Sequence, residues 1–261
     1  MNQYSISAII LAKNEEKNIK GAIKSVHFCK EIIVIDDNST DKTIEQIQSL
    51  KSKVDGLKMY QRSLKGDFAG QRNYAMTLAS NEWILFIDAD EEVTEELKKE
   101  IIKYLQFSNL TMKQSFYIKR RDFWWGKELK FGETQKIRNI GIIRLILKGS
   151  GTWMGNVHEI FYTAKSAGTL NGFLNHYPHP TVKDFLQDIN NYSTLRAKEL
   201  LNQGVSANIL QIVFFPLFKF ILNYFIYLGF LDGPAGFAYA FFMSFHSFLV
   251  RAKLYQYQHV H

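Results

Sequence analysis

The chain reads as an α/β protein: a Rossmann-like, mostly parallel sheet covered by helices on both faces, followed by a C-terminal hydrophobic helical region. Three observations predict this. Over the first hundred residues, short apolar runs alternate with segments of helical spacing, the pattern of repeated βα units. Those runs end in polar, mostly acidic clusters. From Ile209 to Val250 the chain is almost wholly apolar and aromatic.

Residues 6–11 form the first predicted strand, closed by the turn Ala12-Lys13-Asn14-Glu15-Glu16. Ile19, Ala22, Ile23 and Val26 recur at helical spacing, with Cys29 at the apolar end of that helix. Residues 32–35 are a second strand ending at Asp36-Asp37-Asn38-Ser39-Thr40-Asp41. Ser39 or Thr40 can cap the next helix, which carries Ile44, Ile47 and Leu50. Residues 57–60 read as a third strand, and Gly70-Gln71-Arg72-Asn73 opens a helix with Ala75, Leu78 and Ala79. The apolar run 83–87 is a buried strand that stops at Asp88-Ala89-Asp90-Glu91-Glu92, before Glu95 and Glu96 begin a charged helix. Residues 107–180 differ, with β-like pieces at 115–118 and 140–147 among glycines and aromatics. Such an irregular stretch beside an α/β core is more often functional than idle. A helix follows over 182–201, and the predicted divisions are 1–106, 107–180 and 181–261.

Within the last division, residues 209–231 have spanning length but are interrupted by Gln211, Pro216, Lys219 and Asn223. Asp232-Gly233-Pro234 separates them from a second apolar run over 235–250. A mean hydropathy of −0.16 excludes a polytopic protein. The pattern favours an in-plane or re-entrant membrane anchor over a soluble aromatic core, and either over a true span. Lys198, Arg251 and Lys253 at the margins suit headgroups.

Hydrophobic content of 46% supports a sizeable core. The single cysteine, Cys29, excludes an intramolecular disulfide and a cysteine zinc cluster, and reads as inert packing. A net charge of +7 fits nucleic acid, an anionic membrane or phosphorylated substrates. Basic residues thicken from Lys113 through Lys119, Arg120, Arg121, Lys127, Lys130, Lys136, Arg138 and Arg144 to Lys148. No nucleic-acid module accompanies them, so membrane or phosphate partners are favoured and nucleic acid is not expected. No basic and apolar leader precedes the first strand, so a cytoplasmic catalytic face is expected.

Carboxyl ends of neighbouring parallel strands share one edge, so Asn14-Glu15-Glu16, Asp36-Asp37 and Asp88-Ala89-Asp90 should converge on one crevice. There Asp37 can accept a hydrogen bond from a base imide, and Arg72 can offer forked donors to phosphate or base oxygens. Asp88 and Asp90 supply hard oxygen donors for Mg²⁺ or Mn²⁺ holding a diphosphate. A plainer reading of residues 88–92 is an acidic N-cap and first helical turn. His158 can bind metal, orient Glu159 or simply pack in a loop. His176 and His179 have no carboxylate nearby in sequence, which argues against zinc. Trp124, Trp125 and Trp153 can stack on the flat faces of a ligand or serve as core or membrane-facing aromatics. The basic run can grip phosphates or be a solvated face.

The ordered set Ile9-Ile10-Leu11-Ala12-Lys13-Asn14-Glu15, Ile33-Val34-Ile35-Asp36-Asp37-Asn38-Ser39-Thr40-Asp41, Gly70-Gln71-Arg72-Asn73 and Ile87-Asp88-Ala89-Asp90-Glu91 strongly resembles the family-2 glycosyltransferases. Their fold is the GT-A nucleotide-diphospho-sugar transferase fold. Phe123-Trp124-Trp125-Gly126, Arg144-Leu145, Val157-His158-Glu159, His176-Tyr177 and Gly229-Phe230-Leu231-Asp232-Gly233 resemble one branch, the bacterial lipopolysaccharide and lipooligosaccharide core β-glucosyltransferases.

The resemblance implies transfer of a hexose, glucose foremost, from a nucleotide-diphospho-sugar such as a UDP-hexose to a lipid-linked saccharide. Asp37 would contact the base, with Asn14, Glu15 and Arg72 helping to hold the nucleotide. Asp88 would meet the ribose or sugar, and Asp90 with Asp88 a divalent metal, Mg²⁺ or Mn²⁺. Inversion by single displacement requires one general base. Glu159 is the implied candidate and Glu133 the alternative, the usual Glu-Asp pair being absent. Residues 1–106 would then be the nucleotide-sugar half, 107–180 the acceptor and catalytic half, and 181–261 the membrane-associated region. The enzyme would be cytoplasmic, peripheral or monotopic at the inner membrane. One rival is a sugar nucleotidyltransferase, which would show a glycine-rich loop where this chain has Lys13-Asn14-Glu15-Glu16. The other is a non-catalytic membrane scaffold, against which the intact acidic edge speaks.

Overall fold

A computed structural model describes residues 4–107, 113–155, 159–178 and 181–259. His158 and His179 therefore lie outside the described residues. The chain forms two compact units, residues 1–120 with 139–177 and residues 121–138 with 178–261.

The first unit is built on a sheet whose strands are β1 Tyr4–Ala12, β2 Cys29–Asp36, β3 Leu57–Gln61, β4 Trp83–Asp88, β5 Glu91–Val93, β6 Ser115–Trp124, β8 Ile142–Leu147 and β11 Gly168–His176. Their order is β3-β2-β1-β4-β8-β6-β11-β5. β1, β2, β3 and β4 pair in parallel, while β8 joins β4 antiparallel. The parallel part is what the βα alternation predicts. Both its faces are buried, so its strands read as unbroken apolar runs. Ile6, Ala8 and Ile10 of β1 face one core with Ile19 and Ile23 of α1 (Ile19–Ser25) and Leu97 and Ile101 of α4 (Glu95–Phe107). Ile9, Ile33 and Phe86 face the other, with Ala69 and Ala75 of α3 (Phe68–Leu78). β9 Gly151–Met154 and β10 Ile160–Thr163 make a separate ribbon that carries Trp153 and Phe161 into that second core.

Several local expectations are corrected. Cys29 opens β2 opposite Tyr4 rather than closing α1, and burial pushes its thiol pKa up. Neither Ser39 nor Thr40 caps α2 (Thr43–Gln48), because Asp41 Oδ1 accepts from Thr43 N at 2.9 Å and Ser39 turns back onto Asp36. α3 starts before Gly70, since Asp67 caps it by accepting from Gly70 N at 2.7 Å. Glu91 and Glu92 are not a first helical turn but strand β5, paired antiparallel with β11 so that Glu91 lies opposite His176.

In the second unit, the end of β6 pairs with β7 Lys127–Leu129 across the tight turn Trp125-Gly126, both residues at positive φ. α5 Gln135–Asn139, α6 Val182–Asn202, α7 Ile209–Ile221 and α8 Gly233–His259 complete it. Trp124, Leu129, Phe185, Ile189 and Ala235 form one core, and Ala197, Leu200, Val250 and Leu254 another. α7 contributes no buried residue. Residues 209–226 have a mean hydropathy of 1.9 and are long and apolar enough to cross a membrane. The buried clusters of this unit are thus made by α6, α8 and the β6–β7 hairpin, and α7 adds no buried residue to them.

Candidate active site

Register puts the acidic strand ends together. Asp88 lies opposite Leu11 on one side of β1, and Asp36 opposite Ala12 on the other. Strand order reverses about β1, and in open α/β sheets ligands bind beyond the carboxyl ends at such a point.

The loops after β1 and β2 are tied to each other. Asn14 adopts a left-handed conformation at φ 56°, which asparagine tolerates better than most residues. Its backbone N–H donates to Ser39 Oγ at 2.9 Å and its Oδ1 accepts from Thr40 N at 2.8 Å. Glu15 N donates to Thr43 Oγ1 at 2.7 Å. Asp36 is consumed locally, taking Ser39 N and Oγ. Asp37 accepts from Lys13 Nζ at 2.6 Å and Leu64 N at 2.8 Å. Asn14 therefore shapes this edge through its backbone N–H and its side-chain oxygen, and Glu15 through its backbone N–H.

The densest chemistry surrounds Asp88. Arg72, from α3, is 3% exposed and donates through Nη2 to Asp88 Oδ1 at 2.9 Å and through Nε to Glu159 Oε1 at 2.7 Å. Its guanidinium lies over the rings of Phe86 and Trp153, which exclude water from one side. Arg144, from β8, donates through Nη2 to Asp88 Oδ2 at 2.6 Å and Glu91 Oε1 at 3.1 Å. Arg120 donates to the same Glu91 oxygen at 3.3 Å, and Glu91 Oε2 accepts from Asp88 N at 3.0 Å. Three guanidinium groups thus neutralise three carboxylates, a largely buried arrangement with Asp88 half-buried, whose desolvation cost marks a functional-site candidate. Arg72 Nη1 and Arg144 Nε are buried and have no hydrogen-bond partner among the described residues.

Burial would raise the carboxyl of Asp88, but Arg144 and Arg72 reverse this and hold it well below the ordinary carboxylate range. Asp90 lies between Asp88 and Glu91 in sequence but makes its contacts beside the cluster. Its Oδ2 is 3.1 Å from His176 Nε2, and its backbone carbonyl accepts from Tyr177 N at 2.9 Å. Burial pushes the Asp90 carboxyl up, and the charge and hydrogen bond of His176 bring it below its usual value. Among the described residues no three metal-ligating side chains cluster, so a cation here would lean on ligand oxygens as well. Asp90 and His176 fit such an open site, as a hard oxygen and an imidazole nitrogen already facing one another. Asp88 fits less directly, since both its oxygens are held by arginines.

The cluster gathers Arg72, Asp88 and Glu159 from the sequence-derived set, with Asp90 adjoining. Glu133, the alternative base, has its two oxygens engaged by Lys219 at 2.7 Å and Asn223 at 3.3 Å in the second unit. Glu91 is not legible in the sequence as a site residue, because an acidic residue after Asp90 looks like helix capping. The sequence around His176 holds no nearby carboxylate; β11 supplies one by pairing with β5, which brings Asp90 to it. Much of the basic run is spent internally: Arg120 and Arg144 on Glu91, Arg121 and Arg138 on Glu128. Trp124 and Trp153 are buried in cores, leaving Trp125 exposed.

The family profile described as "Glycosyl transferase family 2" matches residues 7–161, the span that holds every member of the arginine–carboxylate cluster. The chain is a family 2 glycosyltransferase. Its relatives include the lipopolysaccharide core biosynthesis glycosyltransferase LpsC of Rhizobium meliloti, 29% identical across 96% of this chain and 92% of that one. An uncharacterized glycosyltransferase of Rickettsia bellii is 31% identical across 95% and 85%. Among solved structures, the mannosyltransferase PcManGT of Pyrobaculum calidifontis, in complex with GDP-Man and Mn²⁺, superposes with a TM-score of 0.53 at 13% identity, over 97% of this chain and 76% of that one. S. aureus TarS 1–349 in complex with UDP-GlcNAc superposes at 0.50 and 16% identity, over 99% and 92%. This glycosyltransferase therefore has the GT-A fold, with an apolar helical region at its C-terminal end.

Proposed function

We propose that this glycosyltransferase moves a hexose, glucose foremost, from a UDP-hexose to a hydroxyl of a lipid-linked saccharide such as lipooligosaccharide core, with inversion at the anomeric carbon. It would act on the cytoplasmic side, held at the inner membrane by its apolar helical region. The observation that carries the reading is Arg72, whose one buried guanidinium joins Asp88 at the β4 end to Glu159 across 2.9 and 2.7 Å. Donor-side and acceptor-side carboxylates are thereby held one side chain apart.

In this reading the acceptor oxygen attacks the anomeric carbon while the bond to the diphosphate oxygen breaks. The hydroxyl proton passes to Glu159, and the nucleoside diphosphate leaves. Asp37 contacts the base, the Asn14 and Glu15 loop shapes the nucleotide's seat, and Asp88 meets the ribose or sugar. Arg72 Nη1 and Arg144 Nε, buried without acceptors among the described residues, can donate to donor oxygens. A bound Mg²⁺ or Mn²⁺ would supply charge neutralisation for the diphosphate. Asp90 with His176 would hold it. The mannosyltransferase solved with GDP-Man and Mn²⁺ supports a divalent ion, and LpsC supports a lipopolysaccharide-core acceptor.

Thermal unfolding of the purified protein with UDP-glucose should rise only when Mn²⁺ is also present. Glu159→Gln should keep that stabilisation and lose about 10²–10⁴-fold in turnover, the usual worth of a general base. An unchanged rate would move the base elsewhere.

A further inference from the structure

The second unit exposes an apolar surface with a basic edge. Ile209, Leu210, Val213, Phe214, Leu217 and Phe218 of α7 recur in pairs four residues apart, and all are exposed, Phe218 by 61%. The stripe continues through Phe225 and Ile226 to Phe230 and Leu231. Soluble proteins rarely leave so long an apolar surface uncovered. Within residues 209–231 the one charged side chain is Lys219. Glu133 neutralises it at 2.7 Å.

One end of this surface is clamped to the segment around β7. Asp232 is buried, and its Oδ2 accepts from Lys130 N and Phe131 N, each at 2.9 Å. Its carbonyl accepts from Lys127 Nζ at 2.8 Å. Gly132 N and Gln135 Nε2 both donate to the Tyr227 carbonyl, at 2.8 and 2.9 Å. These bonds hold the segment that carries the exposed Lys127, Lys130 and Lys136 beside the one that carries Tyr227, Leu228, Phe230 and Leu231. Trp125, 52% exposed, stands two residues from Lys127. The acids of the same segment point their charge elsewhere: Glu128 pairs with Arg121 and Arg138, Glu133 with Lys219, and Asp122 is buried.

We propose that the face formed by residues 209–231 lies in the plane of an anionic phospholipid bilayer, its apolar stripe among the acyl chains and the Lys127–Lys130–Lys136 margin on the headgroups. An apolar stripe edged by lysines and an interfacial tryptophan matches the cross-section of a leaflet, oily below and negative above. Two copies of the chain packed face to face would instead bring these like-charged margins into one interface. The inference deepens the membrane-associated reading above and rests on it only for the acceptor's location. It assigns the residues that touch lipid and the charge of the lipid they require.

Co-sedimentation with phosphatidylcholine vesicles, with and without phosphatidylglycerol, tests this. The full chain should bind the phosphatidylglycerol vesicles more tightly, and added salt should remove the difference. Lys130→Ala with Lys136→Ala should weaken binding to the anionic vesicles about thirtyfold, as loss of two surface charges predicts, and leave neutral vesicles unaffected. Phe218→Ser with Phe225→Ser should weaken binding to both. Equal binding to the two vesicle types would overturn the basic margin. So would failure to bind either. A lipid-free dimer that Phe218→Ser dissociates would assign the face to a second copy instead. UDP-dependent thermal stabilisation, measured without lipid, reads the donor site separately, so failure of one proposal is told from failure of the other.

Discussion

Arg72 shows why residue identity matters at this site. It meets Asp88 and Glu159 with two different nitrogens, a geometry that a lysine ammonium cannot reproduce. Arg72→Lys should therefore keep the fold but lower turnover about 10²-fold, through misplacement of one carboxylate. Steady-state kinetics with UDP-glucose would check this. Arg72→Met should go further, leaving two carboxylates around a lost charge and lowering stability by about 3 kcal/mol in urea titration. A variant as stable as the parent would mean that the pairing is not what holds Asp88.

At the scale of elements, Glu31 is the buried pin of the sheet's amino-terminal edge. It takes Ser7 Oγ of β1 at 2.5 Å, Lys58 Nζ of β3 at 2.7 Å, and both Ser80 N and Oγ before β4. Burial would raise its carboxyl, but the bonds from Lys58, Ser7 and Ser80 bring it down to about 2. The folded state thus binds this proton more weakly than the unfolded chain. Its contribution, about 3 kcal/mol, is fully present above the ordinary glutamate range and is lost as pH falls from there toward 2. Glu31→Gln should lower the urea midpoint at neutral pH and remove that part of the acid dependence between pH 5 and 2. Gly172 of β11 makes a second test. A Cβ there would stand 2.4 Å from Leu97 Cα in α4, a backbone atom with little room to yield. Gly172→Ala should cost about 1–3 kcal/mol by overpacking. Because β11 also carries His176 to Asp90, the same change should weaken Mn²⁺-dependent stabilisation by UDP-glucose.

At the scale of the whole molecule, the apolar face of α7 belongs to an environment rather than to the core. Replacing Phe214, Phe218 and Phe225 together by serine should change the free energy of unfolding by no more than about 0.5 kcal/mol per site, since all three are exposed. Calorimetry would measure this alongside a reduced tendency to aggregate. A large loss of stability would show that these rings pack against protein. The net charge of +7 acts on the same scale, favouring approach to anionic surfaces and substrates.

Read alone, the sequence determined the βα alternation, the four parallel strands, the acidic strand ends and the family resemblance. These depend on local periodicity and on motifs a few residues long, which any folded form of the chain must satisfy. Arg72, Asp88, Asp90 and Glu159 were legible as candidates for the same reason. What they touch was not. Arg144 reaches Asp88 across 56 positions, Glu159 reaches Arg72 across 87, and His176 reaches Asp90 across 86. Such pairings follow from the order of strands in the sheet, and no spacing along the chain encodes them. Tertiary structure likewise decided that Asp36 is spent within its own turn while Asp88 sits between two arginines, and that α7 lies outside the core that α6 and α8 enclose. Burial and long-range electrostatics set those outcomes, and both exist only once the layers have packed.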